Sequence, residues 1–390
     1  GSLTFAGGML RFGTSDATYG NQVTGSTSVV QVDTSLNNGT LSGVIDATNA
    51  AGLTKVGSGV LTLTASNTYT GDTIVSVGTL GLSGAGALAS GSIRFSSGTT
   101  LDVSNVSGSN WTLGSGQMLL GAGTLRGTTT VASGAKLVPY DASGFATVRS
   151  NALTLNGELR LRIGATSNDV LAATGALTLG GASSLVLLDN GGANGLGVLT
   201  SGTYILATAT GGVSSTFGSF TPASSGYTQS LSYQANQILL TVMLNSAWTN
   251  GTSDSLWNTT GNWSGGVVPG ITAGSRGIDM ATLPSSVTPT TVTLAATKTQ
   301  LLSLSLDAAA GTGYQLVPSA VGKELWLYAA TGSGTLSVTG GTHGISLPVV
   351  MESDVAVGVA NSAAELVLSG SVSGVGAVVK SGSGALELSG

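Results

Sequence analysis

Apolar and small polar residues alternate along the chain in short stretches. Because successive side chains of a strand point to opposite faces, each alternating pair of apolar residues lies on one strand face. Glycine, asparagine, serine and aspartate separate the stretches and end each strand within a few residues. No stretch of helical length has apolar residues at helical spacing, so the sequence predicts an all-β fold. The alternating residues include Leu61 and Leu63, Leu177 and Leu179, Leu302, Leu304 and Leu306, Leu336 and Val338, and Leu366 and Leu368.

Parts of the sequence recur at distant positions. Residues 91–103, "GSIRFSSGTTLDV", resemble residues 1–12, and residues 368–390 resemble residues 41–65. Such self-similarity is typical of stacked structural units, whereas a sandwich is expected to have longer strands joined by tight hairpin turns. We therefore predict a right-handed parallel β-solenoid, an elongated rod whose inward Leu, Val and Ile side chains stack from coil to coil. A coil of roughly 20 to 25 residues gives about 16 to 19 coils.

Composition narrows the function classes. The 390 residues include 62 glycines and no cysteine, and only 7% are charged while 41% are hydrophobic, a balance that favours a folded chain over a disordered one. The net charge of −5 comes without a basic cluster, so nucleic acid is not an expected partner. The absence of cysteine favours export, and no apolar run approaches the roughly 20 residues of a membrane span.

One stretch carries a family resemblance. Residues 55–82, "KVGSGVLTLTASNTYTGDTIVSVGTLGL", contain G-x-G-x-L-x-L at 57–63, N-T-Y-T-G-x-T at 67–73 and G-T-L-x-L at 78–82. The stretch resembles the autotransporter-associated β-strand repeat, also called the passenger-associated transport repeat, of bacterial surface proteins. The resemblance implies a right-handed β-helix that is exported and displayed outside the cell, and it implies no single activity.

A second resemblance predicts the domain organisation. Residues 247–270, "AWTNGTSDSLWNTTGNWSGGVVPG", resemble the Trp-rich segment that opens units of very large secreted bacterial proteins. We interpret residues 1–245 as the middle and C-terminal coils of one solenoid module, and residues 246–390 as the opening segment and first coils of the next. The chain is then expected to be a window on a longer polypeptide that repeats this module.

Few residues suggest catalysis or metal binding. His343, the single histidine, is predicted to be a structural turn residue, since a catalytic imidazole needs a carboxylate and a nucleophile beside it. Glu352 and Asp354 are predicted to share one strand face as a solvated acidic pair. Residues 189–197, "DNGGANGLG", depart from the calcium-binding turn that they resemble and are interpreted as a glycine-rich turn. No cofactor or metal is expected.

A charged row and a repeat motif have structural interpretations. Glu158, Arg160 and Arg162 alternate with leucines in "GELRLRI", so they are predicted to form an outward polar row. Asn67, Tyr69 and Gly71 of "NTYTG" are predicted to form a corner, in which asparagines of successive coils stack as an amide ladder and the tyrosine covers the turn. Ligand binding by this motif is the weaker alternative.

Three tryptophans form the remaining candidate site. Trp248, Trp257 and Trp263 are interleaved with Asn258 and Asn262, a combination that suits sugar rings through stacking and hydrogen bonding. The competing hypothesis is a cap that covers the first coil of a module, since an open solenoid end exposes its core and strand edge. We favour the cap.

These patterns predict a non-enzymatic, extracellular or cell-surface protein. The first hypothesis is a structural segment of a repetitive bacterial fibre or stalk built from stacked modules. The alternative is an adhesin that binds glycans or cell surfaces, and a β-helix enzyme acting on carbohydrate is the third choice. The expected partners are neighbouring modules or filament copies, with surface glycans in the adhesin alternative, and no insertion into a membrane is expected.

Overall fold

A computed structural model of the chain describes residues 1–140, 142, 144–165, 167–189, 199–223, 227–271, 278–288 and 290–390. Nearly all regular structure in these residues is β-strand. The exceptions are two 3-10 helices of three residues each, Thr260–Asn262 and Ser264–Gly266. Within the described residues, no helix has the length and apolar character needed to cross a membrane.

The strands are short, as the alternating pattern predicts. The first 23 are β1 (Ser2–Leu3), β2 (Leu10–Arg11), β3 (Ala17–Tyr19), β4 (Gln22–Val23), β5 (Val30–Asp33), β6 (Gly39–Leu41), β7 (Leu53–Val56), β8 (Val60–Leu63), β9 (Thr73–Val75), β10 (Thr79–Gly84), β11 (Ser92–Phe95), β12 (Thr100–Val106), β13 (Trp111–Leu113), β14 (Met118–Gly121), β15 (Thr124–Arg126), β16 (Thr129–Val131), β17 (Lys136–Pro139), β18 (Thr147–Ser150), β19 (Leu153–Leu155), β20 (Glu158–Ile163), β21 (Val170–Ala173), β22 (Leu177–Leu179) and β23 (Ser184–Asp189).

The later strands continue in the same manner. They are β24 (Gly202–Ala209), β25 (Val213–Ser214), β26 (Ser219–Thr221), β27 (Tyr227–Tyr233), β28 (Gln237–Ala247), β29 (Met280–Leu283), β30 (Thr291–Leu294), β31 (Lys298–Leu301), β32 (Ser303–Leu306), β33 (Gln315–Pro318), β34 (Glu324–Leu327), β35 (Gly334–Val338), β36 (Thr342–Ile345), β37 (Val349–Met351), β38 (Val355–Val359), β39 (Glu365–Leu368), β40 (Val372–Gly374), β41 (Val378–Ser381) and β42 (Ala385–Leu388).

The chain divides into two compact units. Unit 1 comprises Gly1–Leu199, Tyr204–Ala223 and Leu231–Leu240, and unit 2 comprises Thr200–Thr203, Ser224–Ser230 and Thr241–Gly390. The boundary between the two compact units thus lies mainly after residue 240. The predicted boundary between residues 245 and 246 is a different one, because it marks where a repeated sequence module begins, and it stays a prediction.

Unit 1 is built from parallel sheets in which each strand pairs with its counterpart in the next coil. One sheet runs β2-β5-β7-β9-β11-β14-β17-β20-β23-β26, and another runs from β3 through β6, β8, β10, β12, β15, β18 and β21 to β24. The third runs β13-β16-β19-β22-β25, while β1 pairs with β4. This pairing places residues of the same type above one another in successive coils. An example is the buried row formed by Leu41, Leu63 and Leu82, which are in register and at most 2% exposed.

Unit 2 repeats this architecture. Its sheets run β30-β33-β36-β39-β42, β31-β34-β37-β40, and from the last residues of β28 through β29, β32, β35 and β38 to β41. Leu304, Leu336 and Val357 lie in register in three successive coils and are fully buried. Leu302 instead lies half-buried between β31 and β32, so the predicted row of three leucines contains only Leu304 and Leu306. The predicted all-β, parallel solenoid is confirmed, with about 16 turns.

Candidate functional site

Asn67 joins three successive coils of unit 1. Its side chain is buried between β8 and β9, where the Oδ1 atom accepts a hydrogen bond from the Ile45 N–H at 2.9 Å. Its Nδ2 atom donates to the carbonyl oxygens of Ala65 at 2.9 Å and Ala87 at 3.2 Å. These partners are main-chain groups of its own and both flanking coils, so Asn67 does not form the predicted ladder of asparagine amides.

The other two residues of the motif are enclosed by the fold. Tyr69 is fully buried, and its hydroxyl lies 2.6 Å from the Thr73 hydroxyl, which lies 2.8 Å from the Ser90 hydroxyl. Burial raises the pKa of the Tyr69 phenol, which therefore stays neutral. Tyr69 is thus a core residue rather than a cover on the turn. At Gly71 an added Cβ would lie 2.4 Å from the Ala50 carbonyl oxygen, so any side chain there would collide with the preceding coil.

Lys55 is a buried residue that joins two coils and that the sequence pattern does not reveal. It lies on β7 with its side chain inside the coil, fully buried. The Nζ atom donates to three carbonyl oxygens, those of Val56 at 3.0 Å, Gly57 at 2.6 Å and Val77 at 3.1 Å. Burial lowers the pKa of Lys55 to about 8, so the ammonium is charged at neutral pH and offers one N–H to each carbonyl.

The same lysine geometry occurs a second time. Lys380 begins "KSGSG" as Lys55 begins "KVGSG", and its Nζ atom donates to the carbonyl oxygens of Ser381 at 3.1 Å and Gly382 at 2.7 Å. The shared letters K-x-G-S-G are therefore the sequence signal for a lysine that binds the carbonyls of its own following turn. At Lys55 the third carbonyl, that of Val77, comes from the next coil, so the lysine also fastens one coil to another.

The three tryptophans lie together in the core of unit 2. Trp248 and Trp257 are fully buried and Trp263 is 3% exposed. Trp263 contacts the other two edge to face, with ring centroids 5.1 Å from Trp248 and 4.5 Å from Trp257. The Trp257 indole N–H donates to the Pro269 carbonyl at 3.0 Å, and that of Trp263 to the Trp257 carbonyl at 2.7 Å. This burial leaves no indole face for a sugar ring, whereas the cap stays a prediction.

The asparagines beside the tryptophans are also engaged. Asn262 is fully buried, and its Nδ2 atom donates to the Asp254 carboxylate at 2.5 Å and to the Leu256 carbonyl at 3.0 Å. Hydrogen bonds to that carboxylate, first from the Leu256 N–H, lower the pKa of Asp254 to about 2. Asn258 accepts from the Ala295 N–H at 3.0 Å. Both amides therefore bind groups of the protein itself. The predicted sugar site, in which these amides and the indoles would face solvent together, is not formed.

His343 lies in a strand rather than in the predicted turn. Its side chain is fully buried on β36, where Nδ1 accepts a hydrogen bond from the Tyr314 N–H at 3.0 Å and Nε2 lies 2.7 Å from the Gly340 carbonyl oxygen. The Tyr314 ring stacks on the imidazole with centroids 6.0 Å apart. Burial lowers the pKa of His343, so a neutral imidazole joins neighbouring segments of the coil.

Glu352 and Asp354 do not share a strand face. Strand β37 ends at Met351, so both carboxylates lie in the bend that follows it. Asp354 accepts a hydrogen bond from the Ala377 N–H at 2.9 Å and thereby holds the next coil. The i, i+2 spacing predicts a shared strand face only if the strand continues, and the sequence does not mark where β37 stops.

Arg162 is the buried member of the predicted outward row. Glu158 and Arg160 are half-buried and form an ion pair with each other, whereas Arg162 is 8% exposed because the rings of Tyr140 and Phe145 lie over its guanidinium. Its Nε and Nη2 atoms each lie 2.8 Å from a carboxylate oxygen of Asp169, whose side chain is fully buried. A bidentate partner of this kind is what makes burial of a guanidinium tolerable. The alternating pattern assigns Arg162 to the outward face, but it does not show that Asp169 and the two rings cover the guanidinium there.

The remaining predicted turn cannot be placed. Residues 190–197 lie outside the described residues, as does the side chain of Asp189. In the part of the chain that the structure describes, no group of three or more His, Cys, Asp or Glu side chains is arranged to hold a metal ion.

Comparison with known proteins agrees with the repeat motif. Residues 53–82 match the family described as the Passenger-associated-transport-repeat, and this segment contains β7, β8 and β9 and most of β10. The chain is also 38% identical over 105 residues to a protein of Brucella suis biovar 1 (strain 1330) described as "Adhesin BmaC autotransporter". That match covers 26% of this chain and 3% of the length of the relative. The predicted resemblance is confirmed: residues 53–82, which lie in the coils that Lys55 and Asn67 fasten together, match the passenger-associated transport repeat.

Proposed function

We propose that this chain is a structural segment of a bacterial surface passenger, one stretch of an extracellular fibre or stalk made of stacked solenoid modules. The proposal rests on the contacts that the residues of the repeat motif make. Its polar residues Lys55 and Asn67 are buried and bind main-chain groups of neighbouring coils, and Gly71 leaves room for the coil beside it. The motif therefore serves coil-to-coil attachment rather than contact with a ligand.

The interior supports a mechanical role. Rows of apolar side chains continue from coil to coil in each unit, and every coil covers the apolar face of its neighbour. The surface is poor in charge, with 12 Lys and Arg among 390 residues, so proteases that cleave after basic residues find few sites. Such a segment resists both unfolding and digestion, which suits a protein displayed outside the cell.

The comparisons support a location of the chain outside the cell. A transport repeat of passengers and similarity to a protein described as an autotransporter adhesin both support a secreted or cell-surface location. Neither comparison is with an enzyme. The absence of cysteine fits passage through an oxidising compartment, where a free thiol risks incorrect pairing.

Antibody accessibility tests the location. Antibodies raised against residues 1–390 are expected to stain intact, unpermeabilised cells of the source bacterium, and brief protease treatment of those cells should remove full-length protein while an internal cytosolic control survives. Staining that requires permeabilised cells would exclude a surface segment.

An adhesin is the second candidate function, because the relative is described as one. Beads coated with the purified chain distinguish the two functions. The structural proposal expects no more adhesion to host cells than beads coated with a non-adhesive protein of similar acidity. Saturable adhesion that soluble chain competes away would favour the adhesin.

A further inference from the structure

The outward surface of unit 1 contains a cavity of about 230 Å³. It lies over the sheet formed by β11, β14 and β17, where Arg94 and Leu120 are outward residues in register. Tyr140 follows β17 and forms part of the wall, and the rim includes Ser96 and Ser97. The cavity, whose lining also includes the buried Phe95, thus combines an exposed cation, an exposed aromatic ring, an apolar side chain and two exposed hydroxyl-bearing residues.

Tyr140 is an exposed ring that is held in place from beneath. It is 44% exposed, and its main-chain N–H donates to the Gly121 carbonyl at 3.0 Å. The guanidinium carbon of the buried Arg162 lies 4.8 Å from the ring centroid, a cation–π contact. Because the bidentate bond to Asp169 fixes Arg162, the tyrosine ring is anchored against a rigid support. An aromatic face fixed before binding loses less conformational entropy when a ligand stacks on it.

Arg94 supplies the charge of the cavity. Its side chain is 48% exposed, and its ion pair with Asp72 is long, with 3.2 Å between Nε and Oδ2, and equally exposed on the Asp72 side. Exposed pairs of this kind contribute little free energy and are readily exchanged. A ligand carboxylate can therefore take the place of Asp72, since guanidinium groups bind carboxylates through paired N–H donors.

We propose that this cavity binds an acidic sugar residue of the uronic acid class. The ring of the sugar stacks on Tyr140, its carboxylate binds Arg94, and its hydroxyl groups bind Ser96 and Ser97. The volume is below the roughly 300 to 1,000 Å³ of pockets for drug-sized ligands, which restricts the site to one sugar ring. A single cation on an acidic protein also favours one carboxylate over a polyanion. The site adds ligand binding to the structural role and does not depend on it.

Ligand-observed NMR on the full 390-residue chain tests the site, with glucuronate and galacturonate as probes and glucose as the neutral comparison. A single ring with one charged contact is expected to bind with a Kd on the order of 1 mM, and glucose at least about tenfold more weakly. Arg94→Gln should weaken uronate binding by about tenfold, the loss of one charge-assisted bond. The control Arg126→Gln removes another exposed arginine that pairs with a carboxylate, Asp102, and should leave binding unchanged.

Two further variants separate stacking from charge. Tyr140→Ala should weaken uronate and glucose binding alike, whereas Tyr140→Phe should retain both, since it keeps the ring. Asp72→Asn should strengthen uronate binding by freeing Arg94. Each variant is first shown to keep the far-ultraviolet circular dichroism and melting temperature of the parent chain.

Several results would overturn the proposal. These are no saturable uronate binding up to roughly 50 mM, fifty times the expected Kd, equal affinity for glucose and uronate, or equal loss of binding in Arg94→Gln and Arg126→Gln. Equal affinity would show a site for neutral sugars, and equal losses would show charge attraction without a site. None of these outcomes bears on cell-surface location, which antibody accessibility tests separately.

Discussion

Lys55 places a positive charge inside a largely apolar coil. Its three hydrogen bonds to carbonyl oxygens compensate the burial, and one of those carbonyls belongs to the next coil. The ammonium thus does two things at once: it closes the glycine turn after β7 and attaches β7 to the turn before β10.

Replacing this lysine should be costly. Lys55→Met keeps the side-chain volume but leaves the three carbonyls without their charged donor, and we expect the free energy of unfolding to fall by about 3 kcal/mol. Lys136→Met is the matched control, because Lys136 is half-buried on an outward position of β17. Guanidinium denaturation should show a change within about 0.5 kcal/mol for the control. Equal losses in both variants would mean that the ammonium contributes no specific attachment.

His343 should make the stability of unit 2 depend on pH. Burial lowers its pKa in the folded protein, so below about pH 6.5 the unfolded chain binds a proton that the folded chain does not. Stability is therefore greatest above that pH and falls as the pH decreases, by at most about 1.4 kcal/mol per pH unit from this group. Denaturation at pH 7.5 and 5.5 should show a larger loss for the parent chain than for His343→Gln. An equal loss of stability in the parent chain and in His343→Gln would show that His343 does not cause the pH dependence.

Single buried polar residues were the hardest features to predict from the sequence. His343 and Lys55 occupy inward strand positions that the alternating pattern reserves for apolar residues, and Arg162 is buried at an outward position because Tyr140 and Phe145 cover it. Each is tolerated because a partner distant in sequence satisfies it, such as the Tyr314 N–H or the Asp169 carboxylate. Local periodicity contains no information about such partners, so it did not reveal that these three polar residues are buried.

At the scale of elements, the turn between β8 and β9 contributes to stability through Asn67. Asn67→Ala removes three hydrogen bonds to main-chain groups in three coils and leaves the Ile45 N–H without its acceptor. We expect a loss of about 3 kcal/mol in the free energy of unfolding. Asn105→Ala, at an exposed position of β12, is the control and should change stability by at most about 0.5 kcal/mol. A small effect of Asn67→Ala would contradict the coil-joining role.

The tryptophan segment should behave as core. Trp257→Ala and Trp263→Ala each remove a buried indole and are expected to cost about 4 kcal/mol. Trp326→Ala removes a half-buried indole from an outward position of β34 and should cost about 1 kcal/mol. Thermal melting followed by circular dichroism makes the comparison. Unchanged melting of the two core variants together with lost glycan binding would restore the sugar-contact hypothesis.

Strands were predictable from the sequence because the core enforces a period of two. Leu61 and Leu63 on β8 and Leu366 and Leu368 on β39 face inward as the alternation predicts. Strand ends were less predictable, since they depend on where the neighbouring coil stops pairing. Strand β37, for example, ends at Met351, so Glu352 lies outside the strand in which it was predicted. The three tryptophans could be identified as a cluster, whereas their burial depends on tertiary contacts such as the Pro269 carbonyl.

At the scale of the whole molecule, the module hypothesis proposes that the native polypeptide is longer than these 390 residues and repeats the same sequence module. It expects the complete polypeptide to contain a second Trp-rich opening of the type at residues 247–270, followed again by the K-x-G-S-G and N-T-Y-T-G elements. Sequencing the complete gene checks this expectation. A single opening in the whole polypeptide would contradict it.

As the structural segment of a surface passenger that we propose, the chain is expected outside the cell. Immunogold electron microscopy of native cells, with antibodies against residues 1–390, tests this claim most directly. Gold particles are expected beyond the outer surface, repeated along filaments or stalks. Gold confined to the cell interior, or to surface patches without any projecting structure, would contradict it.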